Sequence, residues 1–327
     1  MKVLTKWWIP AGAILGVVGL ELFLSLAFGL GHPPLVVADR AMGYRFGENQ
    51  RLRRFGNVLE YNQYSQRSEA IASPKPSKTL RILMVGDSVL NGGNRKDQSE
   101  IISELLEVRI LRATHSGSSV EVLNASANSW GIGNHWGYLR KYGWFDSDAV
   151  ILQIGTHDLI QETSKADPES LKRRPRFALE EAIAFYAWPI LRERFRGRNP
   201  APAGVERSQP NPTFRDRQFR ENMAILEQIA AETRKRKIPL FVLYTPDRRD
   251  LLPTSTQPDY QGEFFKQLQG LKIPVIDSHA AWSKLPPETV ANYFIDGVHL
   301  SVEGNRAIAE LLFLQLCQQQ QLPACQT

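Results

Sequence analysis

Five short apolar runs, at residues 79–85, 119–124, 148–154, 239–244 and 273–276, constrain this chain more than anything else in it. Each has the length of a buried strand, and the segments between them are long enough to hold helices. Two of those segments, "QSEIISELLEVRIL" from residue 98 and "FRENMAILEQIAAETRKRK" from residue 219, carry apolar residues at the three-and-four spacing of an amphipathic helix. The second ends in basic residues, which suit a helix C-terminus, and "SVEGNRAIAELLFLQL" from residue 301 reads as a closing helix. Strands that alternate with helices predict a parallel sheet with helices on both faces, because parallel strands need crossover connections that cover the sheet. No internal repeat of solenoid period is present.

The flanks set the organisation. The stretch "WWIPAGAILGVVGLELFLSLAFGLG", residues 7–31, holds a single charge, Glu21. As a helix its two dozen residues reach roughly 36 Å, enough for a hydrocarbon core of about 30 Å. Residues 1–31 therefore read as a membrane anchor or a signal segment, with membrane contact through residues 7–30; Ala27, Gly29 and Gly31 offer only a weak cleavage site. Glu21 is the objection to a span, since a carboxylate in mid-bilayer costs on the order of 2–3 kcal/mol. Lys2 and Lys6 favour a cytoplasmic start, while Arg40 and Arg45 follow closely on the other side.

Residues 32–78, with Pro33, Pro34, Pro74 and Pro76, read as an extended connector, and residues 79–327 as the main domain. An insertion at 159–214 contains an amphipathic stretch at 177–195, readable as a packed surface helix, a lid or a membrane-interface helix. The net charge of +6 is spread over scattered basic residues without interleaved aromatics, so no nucleic-acid partner is expected. Cys317 and Cys325, the only cysteines, either close a small loop in an oxidising compartment or stay unpaired.

The first strand ends in "LMVGDSVLNGG", residues 83–93. Gly86 allows a tight turn, after which Asp87 or Ser88 can cap a helix. Alternatively, Ser88 is a nucleophile presented at the carboxyl edge of the sheet, near backbone N–H groups able to hold an oxyanion. The second reading requires a base. The segment "YFIDGVHLSVEGN", residues 293–305, supplies Asp296 and His299 three residues apart, an imidazole and a carboxylate to orient it. With Ser88 they make a nucleophile, a general base and an orienting acid. His32, His115, His135 and His279 lack partners at metal-ligand spacing, and no phosphate-binding loop is present, so no metal and no cofactor are expected.

These motifs resemble the SGNH/GDSL hydrolase family over residues 79–319. "VGDSVLNGG" is similar to its first block and implies Ser88 as nucleophile and oxyanion donor, supported by Gly86 and Asp87; "DGVHLSVEGN" is similar to its last and implies Asp296 and His299. The second block, usually Asn-Ala-Gly-x-x-Gly, reads "NASANSWGIGN": Asn124 is kept and Ser129 stands where a glycine N–H would complete the oxyanion hole, with Gly131 as the alternative donor. The third, usually Gly-x-Asn-Asp, reads "IGTHDLI": Gly155 and Asp158 are kept and His157 replaces the asparagine, where a neutral imidazole can still donate one N–H. The resemblance implies a flavodoxin-like α/β/α sandwich around a five-stranded parallel sheet. It also implies ester chemistry: an esterase, an O-deacetylase of cell-surface carbohydrate, acting outside the cytoplasm. The alternatives are an O-acyltransferase fed by a membrane acyl-donor partner, and a silent carbohydrate-binding domain.

Overall fold

The computed structural model describes residues 5–114, 119–165, 175–188, 191–192 and 211–319. Its centre is a five-stranded sheet of β5 (Thr79–Gly86), β6 (Ser119–Ser126), β7 (Ala149–Gly155), β8 (Leu240–Thr245) and β9 (Val275–Asp277), every neighbouring pair parallel. The spatial order is β6-β5-β7-β8-β9, the flavodoxin-like order, and each strand lies within two residues of the apolar run that announced it. Alternate residues face opposite layers. Leu83 and Val85 of β5 pack into one core with Val150, Leu152 and Val242; Ile82 and Met84 pack into the other with Ile151, Phe241 and Leu243. Both faces being covered, the strands read as continuous apolar runs.

The first core is closed by α4 (Ile132–Tyr142), α5 (Pro212–Arg236) and α6 (Gln261–Gly270), the second by α3 (Ile102–Ala113) and α7 (Val302–Gln318). The closing helix α7 is capped by the Ser301 side chain, which accepts from Gly304 N. Helix α5 begins earlier than its apolar periodicity implies. Pro212 occupies its first turn and Asn211 caps it through Thr213 N, a placement in which the missing proline N–H costs no hydrogen bond. Part of the proposed insertion, up to residue 214, therefore belongs to a helix; residues 166–174, 189–190 and 193–210 lie outside the described residues. Cys317, on α7, is disulfide-bonded, and Cys325 lies outside the described residues.

Residues 32–78 differ from an extended connector. They hold two antiparallel hairpins, β1 (Val36–Asp39) with β2 (Gly43–Phe46) and β3 (Gln50–Arg54) with β4 (Asn57–Tyr61). Met42, Phe46, Leu59 and Tyr61 enter the first core. Beyond the hairpins, Arg67 N donates to Asn124 O at 2.8 Å and Asn124 N to Ser68 Oγ at 2.9 Å, which covers the outer edge of β6. The buried Arg67 guanidinium also donates to the carbonyls of Asn91, Gly93 and Lys96, bracing the loop that follows Ser88.

Helix α1 (Thr5–Phe28) precedes the hairpins, and its window Ala11–Phe28 is long and apolar enough to cross a membrane.

If the hairpins belong to the core, replacing the fully buried Leu59 of β4 by alanine leaves a cavity and lowers unfolding stability by about 2–4 kcal/mol. Denaturant titration measures this; a loss below about 0.5 kcal/mol, as at an ordinary surface position, would place the hairpins outside the cooperative unit.

Candidate active site

The turn at the end of β5 is shaped by close approach. A Cβ on Gly86 would sit 2.4 Å from Gln153 Oε1 and 2.9 Å from Leu90 Cβ, so only glycine lets β5 run this close to β7. Asp87 follows as the cap: its N–H donates to Gln153 Oε1 at 3.0 Å and its Oδ1 accepts from Val89 N at 2.8 Å. Ser88 is the first residue of the short helix α2 (Ser88–Asn91). The two readings of this turn are met by different residues, since Asp87 caps and leaves the Ser88 side chain free to face outward.

It faces His299. Ser88 Oγ lies 3.0 Å from His299 Nε2, and His299 Nδ1 lies 2.8 Å from Asp296 Oδ2. The other Asp296 oxygen accepts from Val298 N at 2.9 Å and His299 N at 2.8 Å, so the carboxylate holds the turn that carries the imidazole. Partial burial pulls the Asp296 pKa upward, but these N–H donors and the ring of His299 outweigh it and hold the carboxyl below its ordinary value. The anion is therefore the form that meets Nδ1, which makes Nδ1–H a donor and leaves Nε2 to accept the Ser88 proton. All three side chains line a cleft of about 570 Å³ together with Asn94, Lys96, Asn128, Ser129, Phe55 and Tyr186.

Ser129 holds φ at +56°, the left-handed region that favours glycine. The backbone conformation of the usual glycine thus persists although the side chain has changed. Its carbonyl is fixed by Gln161 Nε2 at 2.7 Å and by Ser164 Oγ, and the residue lines the cleft. Gly131 is unsuited to the alternative role, because its N–H already donates to Asn134 Oδ1 at 2.9 Å. Asn124 lies behind the site: its amide donates to Leu90 O and Ser103 Oγ, both at 3.0 Å, and steadies α2.

His157 is not directed at the cleft. Its Nε2 lies 2.8 Å from Asp87 Oδ2 and its Nδ1 lies 2.9 Å from Asp247 Oδ1, so carboxylates take both ring nitrogens. The expectation that it donates to an oxyanion fails on this geometry, because no N–H is left over. Burial works against charge on the ring, but Asp158, Asp247 and Asp87 surround it and hold its pKa well above the ordinary 6.5. Asp158 accepts from Gly155 N at 2.7 Å; burial, then the Asp87 charge, push its own pKa up to about 8. His135, buried and close to Asp87, is kept neutral by burial, which lowers its pKa to about 4.

The chain matches the GDSL-like lipase/acylhydrolase family over residues 82–312, more than half its length. It belongs to that family. No curated protein matches it in sequence. Among solved structures it is similar to the acetyl xylan esterase AlAXEase, at 12% identity and TM-score 0.46, over 72% of this chain and 100% of that one. A lipase/acylhydrolase from Enterococcus faecalis aligns at 17% identity and TM-score 0.43, over 72% and 95%. Axe2, an acetylxylan esterase from Geobacillus stearothermophilus, aligns at 16% and 0.44, over 72% and 94%.

In this GDSL hydrolase the residue that motif reading missed is Asp247. It stands two positions past the end of β8, on the same carboxyl edge as Ser88 and His157, and edge position in a parallel sheet is the signal that could have found it. Asp87, His157 and Asp158 bring ligand atoms within 4.8 Å of one another, the one such group among the described residues. With both imidazole nitrogens bonded to carboxylates, the arrangement is that of an imidazolium serving as counter-ion.

His157→Ala leaves the Asp87 and Asp247 carboxylates without their shared cation and should lower stability by about 3 kcal/mol. A group whose folded pKa is raised contributes stability that is full below its unfolded value and is lost as pH rises through the folded one. For His157 that loss begins above its ordinary 6.5. The melting temperature should therefore fall on the alkaline side of neutrality, and His157→Asn should flatten the fall. An unchanged slope in His157→Asn would mean that the ring is not charged in the folded chain.

Proposed function

We propose that this GDSL hydrolase is a serine esterase that removes acyl groups, as an O-deacetylase, from cell-surface carbohydrate outside the cytoplasm, and that α1 anchors it in the membrane. The observation that carries the reading is the continuous chain from Ser88 Oγ to His299 Nε2 at 3.0 Å and from His299 Nδ1 to Asp296 Oδ2 at 2.8 Å. Ser88 Oγ attacks the ester carbonyl while His299 Nε2 takes its proton. His299 returns that proton to the leaving alkoxide, and an acyl-Ser88 remains. Water, deprotonated by the same nitrogen, then releases the acid. Asp296, held ionised, keeps the proton on Nδ1 and stabilises the imidazolium formed in each half-reaction.

The N–H groups of Ser88 and Ser129 hold the tetrahedral oxyanion in this scheme. Ser88 opens a helix, so its N–H has no carbonyl one turn earlier to meet, and the left-handed backbone at Ser129 supports the second donor. The hole is built without the His157 side chain. Asn94, Arg95, Lys96 and Asn128 give the cleft wall hydrogen-bonding groups suited to a hydroxylated acceptor. The cleft is open to solvent on the side of His299, whose side chain is 41% exposed, so water can reach the acyl-enzyme.

Ser88→Ala should abolish hydrolysis of a simple acetyl ester with the fold intact, and His299→Ala should be comparably damaging. Because base and nucleophile act as a unit, the double variant should be no worse than either single one. Ser129→Gly should keep activity, because glycine adopts the same left-handed backbone and keeps the N–H. Turnover by purified Ser88→Ala at the native rate would end this mechanism. Acetylated glycan as the main product, rather than free acetate, would make the protein a transferase.

A further inference from the structure

Helix α1 is bonded to the catalytic domain at a residue that a spanning helix carries inside the bilayer. Glu21 accepts Ala178 N at 2.6 Å and Leu179 N at 2.8 Å, at the start of the helical segment Ala178–Glu181, which continues as a wider turn through Ala182–Ala187. A second tie lies beside it. Glu181 pairs with the buried Arg54 guanidinium and accepts Gly31 N at 2.7 Å, while Arg54 also donates to Gly29 O at 2.6 Å. Phe55 N donates to Phe28 O at 3.0 Å. The last two turns of α1 are therefore fixed to the domain.

The depth follows from length. From Trp7, where the apolar run begins, to Glu21 there are fourteen residues, or roughly 21 Å of helix. With Glu21 level with the membrane surface, the helix would fall about 9 Å short of a 30 Å hydrocarbon core. A span that crosses takes Glu21 and the segment bonded to it into the leaflet. That segment is dressed for the place: Phe177, Ile183, Phe185, Trp188 and Leu191 are all exposed. The same segment reaches the cleft, since Tyr186 lines it and meets Phe55 edge-on, ring centroids 5.8 Å apart.

We propose that residues 177–188 sit in the leaflet beside α1 and hold the mouth of the Ser88 cleft at the bilayer surface, so that the ester it takes is borne on a membrane-anchored molecule. The inference rests on the reading of α1 as a membrane span and of Ser88 as an esterase nucleophile. Two satisfied N–H groups also remove the objection to Glu21, whose carboxylate does not meet lipid unpaired.

The test uses the full chain, with Cys317 and Cys325 replaced by serine, in phosphatidylcholine vesicles containing spin-labelled lipid. Single cysteines at Leu22, Phe185 and Lys235 carry a nitrobenzoxadiazole fluorophore. Quenching at positions 22 and 185, several-fold stronger than at the exposed helix position 235, is expected. Quenching at 22 without quenching at 185 overturns the proposal, leaves the anchor in place and assigns the apolar face to a protein partner; quenching at neither position removes the anchor as well. In a functional arm, Phe185→Lys with Trp188→Lys should lower turnover of a vesicle-borne acyl ester several-fold more than turnover of a soluble acetyl ester. Equal loss on both overturns the membrane-borne substrate. Absence of Ser88-dependent turnover on either ester in the unsubstituted chain is the separate result that overturns the esterase reading itself.

Discussion

The carboxylate of Asp87 ties together the parts on which the site depends. It is buried, and a buried charge persists only when its lone pairs are matched by donors. One oxygen caps α2 through Val89 N, and the other takes His157 Nε2. The imidazole passes the constraint on to Asp247, whose own N–H is held by Asp250 Oδ2 at 2.8 Å. The carboxyl ends of β5, β7 and β8 are thereby linked beneath Ser88. Because strand order reverses at β5, these ends open onto the crevice where a doubly wound sheet binds its ligand. The serine is presented there by a turn whose position is fixed from below.

That arrangement changes what the third motif contributes. A carboxamide in place of His157 can offer an N–H to an oxyanion; an imidazolium between two carboxylates cannot. What it supplies is a positive charge where Asp87 and Asp247 converge, and its cost is one donor fewer above Ser88. In the proposed mechanism the burden shifts to backbone N–H groups. Ser129 is informative here because an L-residue at φ +56° is uncommon, and its retention without glycine shows that surrounding contacts, including those to its carbonyl, enforce the shape. The exposure of the residues fits this division. Asp296 and His299 stand open enough to exchange water and product, whereas Asp87 and Asp158 are sealed.

The central sheet was legible because its strands are buried on both faces, so that β7, Ala149–Gly155, is nearly all apolar. The convergence of Ser88, Asp296 and His299 was legible because Ser88 follows a strand directly and Asp296 and His299 lie within one turn. The hairpins were not. β3, with the sequence QRLRR, buries Arg54 rather than an apolar residue at its end, and the partner that makes this tolerable, Glu181, is 127 residues away. No local pattern announces such a pair. His157 failed for the same reason: its type and neighbours fit an oxyanion donor, while its orientation is decided by Asp247, 90 residues on. Helix α5 shows the converse, since Asn211 and Pro212 carried a start signal that the Pro-rich composition around them concealed.

The Arg54–Glu181 pair also bears on how α1 is joined to the domain. Desolvating both charges is costly, and a buried pair of this kind rarely adds net stability over an apolar one. What it adds is geometry. Arg54 reaches Gly29 O as well as Glu181, and Glu181 reaches Gly31 N, so the turn that ends α1 cannot swing without leaving a buried charge unpaired. Gly29 and Gly31 adopt positive φ in that turn, and a Cβ on Gly29 would lie 1.8 Å from Arg53 O. A flexible linker would tether the domain at any height and orientation above a membrane. A helix end locked by two glycines, a buried ion pair and the Glu21 contact instead fixes the direction of α1 against the domain, on the side where Phe55 and Tyr186 border the cleft.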